Sequence, residues 1–267
     1  MEKVVARIDI GGTNTVVGLV NAEGEILAET KFPTKEYSDF KNFITKLSTT
    51  IKGLNNGYEI VGIGIGAPNA NYCNGTIENA ANLPWKGILD VKNEVSQHYP
   101  NIPVIIANDA NAAAIGEMVY GNAKHMKEFI MVTLGTGLGA GFVANGKLIS
   151  GYDSFAGELG HIIVRRGGRQ CGCGRKGCLE TYVSASGIKR TVFELLADSL
   201  EDSELRNVSF NDLEALMITQ AALRGDGIAL EAFEISGKIL GQALADAVAI
   251  TSPESIFLFG GWLSQVI

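Results

Sequence analysis

Sulfur and imidazole are scarce in this chain, which carries four cysteines and three histidines among 267 residues. Four cysteines are too few for a disulfide scaffold at this length, so stability has to come from a packed core. The 46% of hydrophobic residues suffice to build one in each of two ordinary domains. Long apolar runs are also missing, since none reaches the ~18 residues that span a bilayer. Met1-Glu2-Lys3 leads directly into a strand-like run instead of a signal-peptide core, so the expected location is the cytoplasm, with no membrane partner. Basic charge is in deficit, with 22 Lys and Arg against 29 Asp and Glu, a net charge of -7 and a pI near 5.1. No Lys/Arg stripe is left to neutralise phosphates along a duplex, which argues against a nucleic-acid partner. Two nucleotide-binding signatures are absent as well. No GxxxxGK[ST] loop occurs, and GTGLGAG lacks the third glycine at Rossmann spacing and has strand-like patterns on both sides.

What is present opens with strand, glycine turn, strand, strand: VVARIDI, Gly11-Gly12, TVVGLV and, after Glu23-Gly24, EILAETKF. Residues 38–52 place Phe40, Phe43, Ile44, Leu47 and Ile51 at helical spacing behind a Ser38 or Asp39 cap. A buried strand, EIVGIGIGAP, precedes a turn-rich stretch from Asn69 to Pro84. The pattern then predicts a helix over ILDVKNEVSQHY and a short strand, VIIA, before NDANAAA. The expected division is an N-terminal α/β domain over 1–107 and a C-terminal α/β domain over 108–267. The second half repeats the opening theme with FIMVTLG, the turn GTGLGAG, then FVAN and KLIS around Asn145-Gly146, a strong hairpin signal. After a cysteine-bearing loop, residues 185–197, 210–223 and 228–250 carry apolar side chains at helical spacing, and a strand, SIFLF, runs into Gly260-Gly261.

DIGGTN puts Asp9 at a strand end and two glycines in the turn. Bare backbone N–H groups can approach phosphate oxygens there, and Asp9 can reach a magnesium ion. An ordinary Gly-Gly hairpin is the plain alternative. The second turn, Gly135-Thr136-Gly137, supports the phosphate reading, because two such turns far apart in sequence suit two domains closing on one nucleotide. His161, Cys171, Cys173 and Cys178 combine three thiolates with one imidazole, the composition of a closed tetrahedral zinc site with no position left for water. Gly172, Gly174, Arg175, Lys176 and Gly177 make that loop polar, against a core-cysteine reading. An imidazole bound to zinc through one nitrogen can donate from the other, and Glu158 lies three residues before it, on the same side of a helical turn. His98 and His125 read as solvated surface residues and Cys73 as a plain loop residue.

Six motifs in order carry a resemblance: DIGGT at the start, NLPW at 82–85, NDANAAA at 108–114, LGTGLGAG at 134–141, GELGH at 157–161 and CGCGRKGCLE at 171–180. Together they resemble ROK-family sugar kinases over nearly the whole chain. The resemblance implies an α/β protein of two ribonuclease-H-like domains in the actin-like ATPase fold, with sugar and ATP in the cleft between them and a zinc-bound loop. It implies ATP-dependent phosphorylation of a hexose, glucose first, with ATP, Mg2+ and structural Zn2+, in a homodimer or higher homo-oligomer. By the same resemblance Asn82, Asn108, Asp109, Glu158, His161 and Glu180 line the sugar, with the backbone of Gly66 at the pocket edge. Asp9, Gly11, Gly12, Thr13, Gly135, Thr136 and Gly137 would serve the nucleotide phosphates, and Gly260 and Gly261 the adenosine.

Asp109 follows the strand VIIA and precedes an alanine-rich helix, which places a carboxylate where it can accept the proton of a sugar hydroxyl as general base. Asn108 and Asp109 can also simply cap that helix, and the two roles are compatible. Competing readings are a kinase for N-acetylmannosamine, N-acetylglucosamine, allose or fructose, and a sugar-sensing regulator of the same family. A hydrolase or chaperone of the wider superfamily is disfavoured by the cysteine loop and NDANAAA. Family members continue past the motif matching Gly260-Gly261 with further helices. The expectation for Trp262–Ile267 is therefore exposed apolar surface and weakened nucleotide binding.

Overall fold

A computed structural model describes residues 1–80 and 82–260. Two compact units result: Met1–Gly121 with Ser150–Ala156, and Asn122–Ile149 with the chain from Gly157 onward. Gly261 and Trp262–Ile267, and the expectations attached to them, lie outside the described residues.

The first unit opens with β1 (Lys3–Ile10), β2 (Asn14–Val20) and β3 (Ile26–Pro33), an antiparallel meander. Alternation along β1 buries Val4, Ala6, Ile8 and Ile10 and leaves the residues between them exposed, so one face of the sheet is core. Helix α1 (Phe40–Leu54) begins where Asp39 Oδ1 accepts the N–H of Asn42 at 2.9 Å, and its buried stripe of Phe43, Ile44, Leu47 and Ile51 packs into that core. Strand β4 (Glu59–Ala67) returns parallel to β1. The turn-rich stretch then forms a small antiparallel sheet of β5 (Ala70–Asn71), β6 (Thr76–Glu78) and β7 (Ile88–Leu89). Helix α2 (Val91–His98), β8 (Val104–Asn108) parallel to β4, and α3 (Asp109–Tyr120) complete the run.

Two sequence expectations shift here. The helix expected from Ile88 starts at Val91, because Ile88 and Leu89 pair with Glu78 and Ile77 and the Asp90 side chain caps the helix by accepting from Asn93 N–H. Helix α3 packs on β4 and β8 and belongs with them to the first unit, whereas the expected boundary fell ahead of it, after residue 107.

In the second unit β9 (Phe129–Leu134) pairs antiparallel with β10 (Leu138–Ala144), and β11 (Lys147–Leu148) follows through the Asn145-Gly146 turn, where both residues have positive φ as a two-residue hairpin requires. Strand β10 starts inside the glycine-rich run, four residues before the expected FVAN, because Leu138–Gly141 pair with Leu134–Met131. The turn is thereby tightened to Gly135-Thr136-Gly137. Helices α4 (Glu180–Val183), α5 (Ala185–Asp198), α6 (Ala215–Leu223) and α7 (Gly227–Thr251) precede β12 (Ser255–Phe259), which lies parallel to β9. Helix α6 starts later than the expected residue 210, since Ser209 and Asp212 bond to each other in a turn ahead of it. The main sheets run β3-β2-β1-β4-β8 and β11-β10-β9-β12, so the doubled strand–glycine–strand theme is a doubled strand order.

Phe43 is fully buried, with ring centroids 4.4 Å from Trp85 and 5.8 Å from Phe32. Phe43→Ala is expected to cost ~3–5 kcal/mol of stability, the usual range for removing a core phenyl ring. Denaturant unfolding monitored by Trp85 fluorescence measures it.

Candidate functional site

Parallel strands β1, β4 and β8 end side by side in the first unit. The register places Asp9 opposite Gly66, Gly66 opposite Ala107 and Ala67 opposite Asn108. The C-terminal edge of such strands is where open α/β sheets bind ligands. Asn108 Oδ1 and Asp109 Oδ1 both accept from Ala110 N–H, at 2.9 and 2.8 Å, so the helix-capping reading holds and fixes both side chains at that edge. Asp109 is open to solvent on one side and crowded by protein on the others. This partial desolvation raises its carboxyl above the ordinary value, against the lowering effect of the backbone N–H groups of Ala110 and Asp109 itself. Asp9 is raised too, by desolvation first and then by the Asp109 charge, with Arg7 opposing. Two carboxyls close enough to feel one another's charge suit a shared cation or proton.

The turn after β1 approaches the NLPW loop. A Cβ on Gly12 would stand 2.6 Å from the carbonyl oxygen of Asn82, so only glycine fits there. Gly11 N–H bonds Asn14 O at 3.0 Å to close the turn, and Thr13 O accepts from Thr34 N–H at 2.9 Å. The Asn82 loop is held from beneath: Trp85 is buried and donates to Tyr37 O at 2.9 Å, and Lys86 Nζ donates to Ala80 O and Leu83 O. Gly66, Asn82, Asn108, Asp109 and the Asp9–Thr13 turn thus belong to one unit. Sequence reasoning missed Asn111 as a separate feature. It is buried in the first turn of α3, and among the described residues its Oδ1 has no hydrogen-bond partner. Its only signal was its place inside NDANAAA.

The second unit collects the remaining residues. Gly135 N–H bonds Gly137 O at 3.0 Å in the β9–β10 turn, and a Cβ on Gly260 would collide with Leu134 O, so the end of β12 reaches the same turn. Glu158 precedes and His161 ends a single 3-10 turn (Leu159–His161), with His161 Nε2 4.0 Å from Glu158 Oε2. The other imidazole nitrogen, Nδ1, faces Cys171 Sγ at 3.7 Å, and Cys173 Sγ lies 3.6 Å from Cys178 Sγ. One ligand atom from each of His161, Cys171, Cys173 and Cys178 falls within a 4.8 Å cluster.

These separations fit zinc. Bonds of ~2.3 Å to sulfur make a tetrahedron with edges of ~3.8 Å, whereas a disulfide would need ~2.05 Å. Burial and the neighbouring thiols push Cys178 up to about 12. Burial also opposes ionisation of Cys173, but hydrogen bonds from Arg175 and the other cysteines bring it down to about 6. Left to themselves the three sulfurs do not all ionise together at neutral pH, and a divalent cation supplies the charge that lets them. Arg175 Nη2 donates to His161 O at 2.7 Å, bracing the imidazole from the far side of the loop.

The two units together have the actin-like ATPase fold of sugar kinases. The ROK family pattern matches residues 5–266, and the chain belongs to the ROK family. A glucokinase of Halalkalibacterium halodurans is 34% identical over 262 residues, 95% of this chain and 79% of that protein. A ROK family glucokinase from Streptomyces griseus, solved in complex with glucose and AMPPNP, superimposes with a TM-score of 0.84 at 32% identity, covering 98% of this chain and 84% of that one. The xylose repressor of Caldicellulosiruptor bescii is 31% identical over 95% of this chain and 65% of its own length. No helix among the described residues is long and apolar enough to cross a membrane.

Gly177 has φ +83°, and a Cβ there would collide with Arg165 O. The purified protein is expected to carry about one zinc per chain by elemental analysis. Gly177→Ala is expected to lower that content severalfold, because the loop cannot close with a side chain at that point.

Proposed function

We propose that this chain is an ATP-dependent hexose kinase that phosphorylates glucose at its 6-hydroxyl, with Asp109 as general base. The observation that carries the reading is Asp109 at the C-terminal edge of β8, held by the start of α3, partly desolvated and next in space to a second carboxylate at the end of β1. The relatives named above support the substrate: one is called a glucokinase, and another was solved with glucose and an ATP analogue.

A sugar hydroxyl is a poor nucleophile at neutral pH. In the proposed step the 6-hydroxyl proton passes to the Asp109 carboxylate as its oxygen bonds to the γ-phosphorus and ADP leaves. Asn82, Asn108 and the Gly66 backbone would bind hydroxyls from the first unit, and Glu158, His161 and Glu180 from the second. Amide and carboxylate side chains read hydroxyls as paired donors and acceptors, so a sugar lacking one leaves a polar partner unmatched. With Nδ1 turned to the sulfur cluster, His161 Nε2 is the nitrogen available to a sugar oxygen, beside Glu158. The turns at Gly11-Gly12-Thr13 and Gly135-Thr136-Gly137 would take phosphate oxygens, with the N–H groups of Gly12, Thr13, Thr136 and Gly137 donating while those of Gly11 and Gly135 close the turns, and Gly260 and Gly261 would take the adenosine. Asp9 would hold the magnesium ion, whose charge offsets that developing on the transferred phosphoryl group.

A second reading has its own observation: similarity to a xylose repressor extends over 95% of the chain. Turnover separates the two, because a regulator binds sugar without consuming ATP.

Asp109→Asn is expected to keep sugar affinity and to lower the phosphorylation rate ~10²–10⁴-fold, the range for loss of a positioned base. A coupled ADP-release assay measures this, and unchanged turnover would remove Asp109 from the chemistry. The raised carboxyl sets the pH dependence. Only the ionised form accepts a proton, so the parent's rate is lost as pH falls through a value raised above that of a solvent-exposed aspartate. The folded state binds that proton more tightly than the unfolded chain, so ionisation at neutral pH opposes folding. The Asn variant is therefore expected to melt at an equal or higher temperature at pH 7. Across a sugar panel glucose is expected to give the highest kcat/KM, and faster turnover of N-acetylmannosamine would reassign the substrate.

A further inference from the structure

Glu180, expected to read a sugar hydroxyl, already has work inside its own unit. It stands two residues after Cys178 and starts α4. Its Oε2 accepts from Leu138 N–H at 2.9 Å, and its Oε1 lies 3.9 Å from Cys171 Sγ. A Cβ on Gly137 would stand 2.5 Å from Oε2, so the β9–β10 turn is folded directly onto the carboxylate. The same short stretch grips the turn twice more, since Ala185 N–H donates to Gly135 O at 2.9 Å and Ser186 Oγ to Thr136 O at 3.3 Å. A single carboxylate therefore touches the sulfur cluster with one oxygen and the glycine turn with the other.

The cysteine loop holds that stretch in place through a second route. Arg169, between His161 and Cys171, donates to Thr181 O at 2.7 Å, Gly187 O at 3.0 Å and Thr191 Oγ1 at 2.9 Å, and pairs with Glu194. Its guanidinium lies over the Tyr182 ring, 4.6 Å from the centroid, and its backbone N–H donates to the Tyr182 hydroxyl at 3.0 Å. Only 8% of the Arg169 side chain is exposed, so these bonds form with little competition from water. Contacts thus run without a break from the cysteine loop through Arg169 to the start of α4 and α5, and from there to the Gly135–Leu138 turn.

We infer that loading of the His161/Cys171/Cys173/Cys178 site sets the affinity of the Gly135-Thr136-Gly137 turn for nucleotide phosphates, with Glu180 as the positioning residue that transmits it. The inference rests on the proposal that this turn receives phosphates. The linkage is reciprocal, so a bound nucleotide also tightens the hold on zinc. Leu138 N–H, taken up by Glu180, is withdrawn from the ligand and serves as the anchor that shapes the turn.

The test measures binding of a non-hydrolysable ATP analogue with magnesium, without sugar, by titration calorimetry. A lost sugar contact does not move that readout. Four samples are compared: zinc-loaded parent, parent stripped by a chelator, zinc-loaded Glu180→Ala and zinc-loaded Glu180→Gln. Zinc content is checked in each, and amide hydrogen exchange is followed at Leu138. Stripping and Glu180→Ala are each expected to weaken the analogue ~10–100-fold, the scale of losing a charge-assisted hydrogen bond, and to speed exchange at Leu138. Glu180→Gln retains an acceptor oxygen and is expected to recover most of the affinity. Equal analogue affinity in the loaded parent, the stripped parent and Glu180→Ala, with unchanged Leu138 exchange, overturns the inference and leaves the kinase reading standing. Failure of the loaded parent to bind the analogue overturns the phosphate role of the turn, and the inference with it. If Glu180→Ala does not fold, the stripped parent decides the zinc linkage, and Leu138 exchange in Glu180→Gln decides the role of Glu180: it is expected to be faster than in the parent, because a neutral acceptor holds the amide less tightly, and unchanged exchange there removes Glu180 from the route.

Discussion

The chemistry available to the first unit depends on the parallel register of β1, β4 and β8. Hydrogen bonding in that ladder puts Asp9 opposite Gly66 and Ala67 opposite Asn108, so residues distant in sequence end at one edge. A shift of one residue would turn every side chain to the other face of the sheet. The buried sets Val4, Ala6, Ile8, Ile10 and Ile63, Ile65, Ala67 prevent such a shift, because it would expose them. The core therefore specifies the site: the same alternation that buries one face aims Asp9 away from it.

In the second unit the corresponding constraint is local closure. The residues between Cys171 and Cys178 are glycines, a cysteine, Arg175 and Lys176, which could not build a core, and the loop is held by backbone bonds instead. Gly177 N–H donates to Arg169 O at 2.8 Å, Cys171 N–H to Arg175 O at 2.9 Å and Leu179 N–H to Ile162 O at 3.0 Å. Each bond brings a sulfur or the imidazole toward the same point. The result places Glu180 against the β9–β10 turn, so the cysteine loop and the glycine turn share one scaffold.

Strength and delicacy are distributed accordingly. Aromatic packing of Phe43, Trp85, Phe32, Tyr37 and Phe40 stabilises the first unit from within and supports the Asn82 loop, while Asp109 and Asp9 carry charges that partial desolvation disfavours. Functional carboxylates commonly carry such a cost, and a well-packed scaffold tolerates it.

The class of the fold and the chemical inventory were legible in the order of residues alone. A strand-like run ending at a glycine turn marked β1, helical spacing marked α1 and α7, Asn145-Gly146 marked a hairpin, and one histidine with three nearby cysteines marked a cluster able to hold a metal, because each signal is carried by residues close together in the chain. Even Asp109 stood out, as a carboxylate between a strand and a helix. Contacts between distant residues did not. Nothing local shows that Gly12 must be bare because the Asn82 carbonyl stands over it, that Asn111 is buried with an unmatched oxygen, or that Ile88-Leu89 leave a helical pattern to pair with β6. It took the folded chain to settle that Glu180 commits one oxygen to the Leu138 amide and turns the other toward Cys171. A carboxylate's partners are set by which backbone groups folding leaves within ~3 Å of it, and that depends on packing across the whole unit.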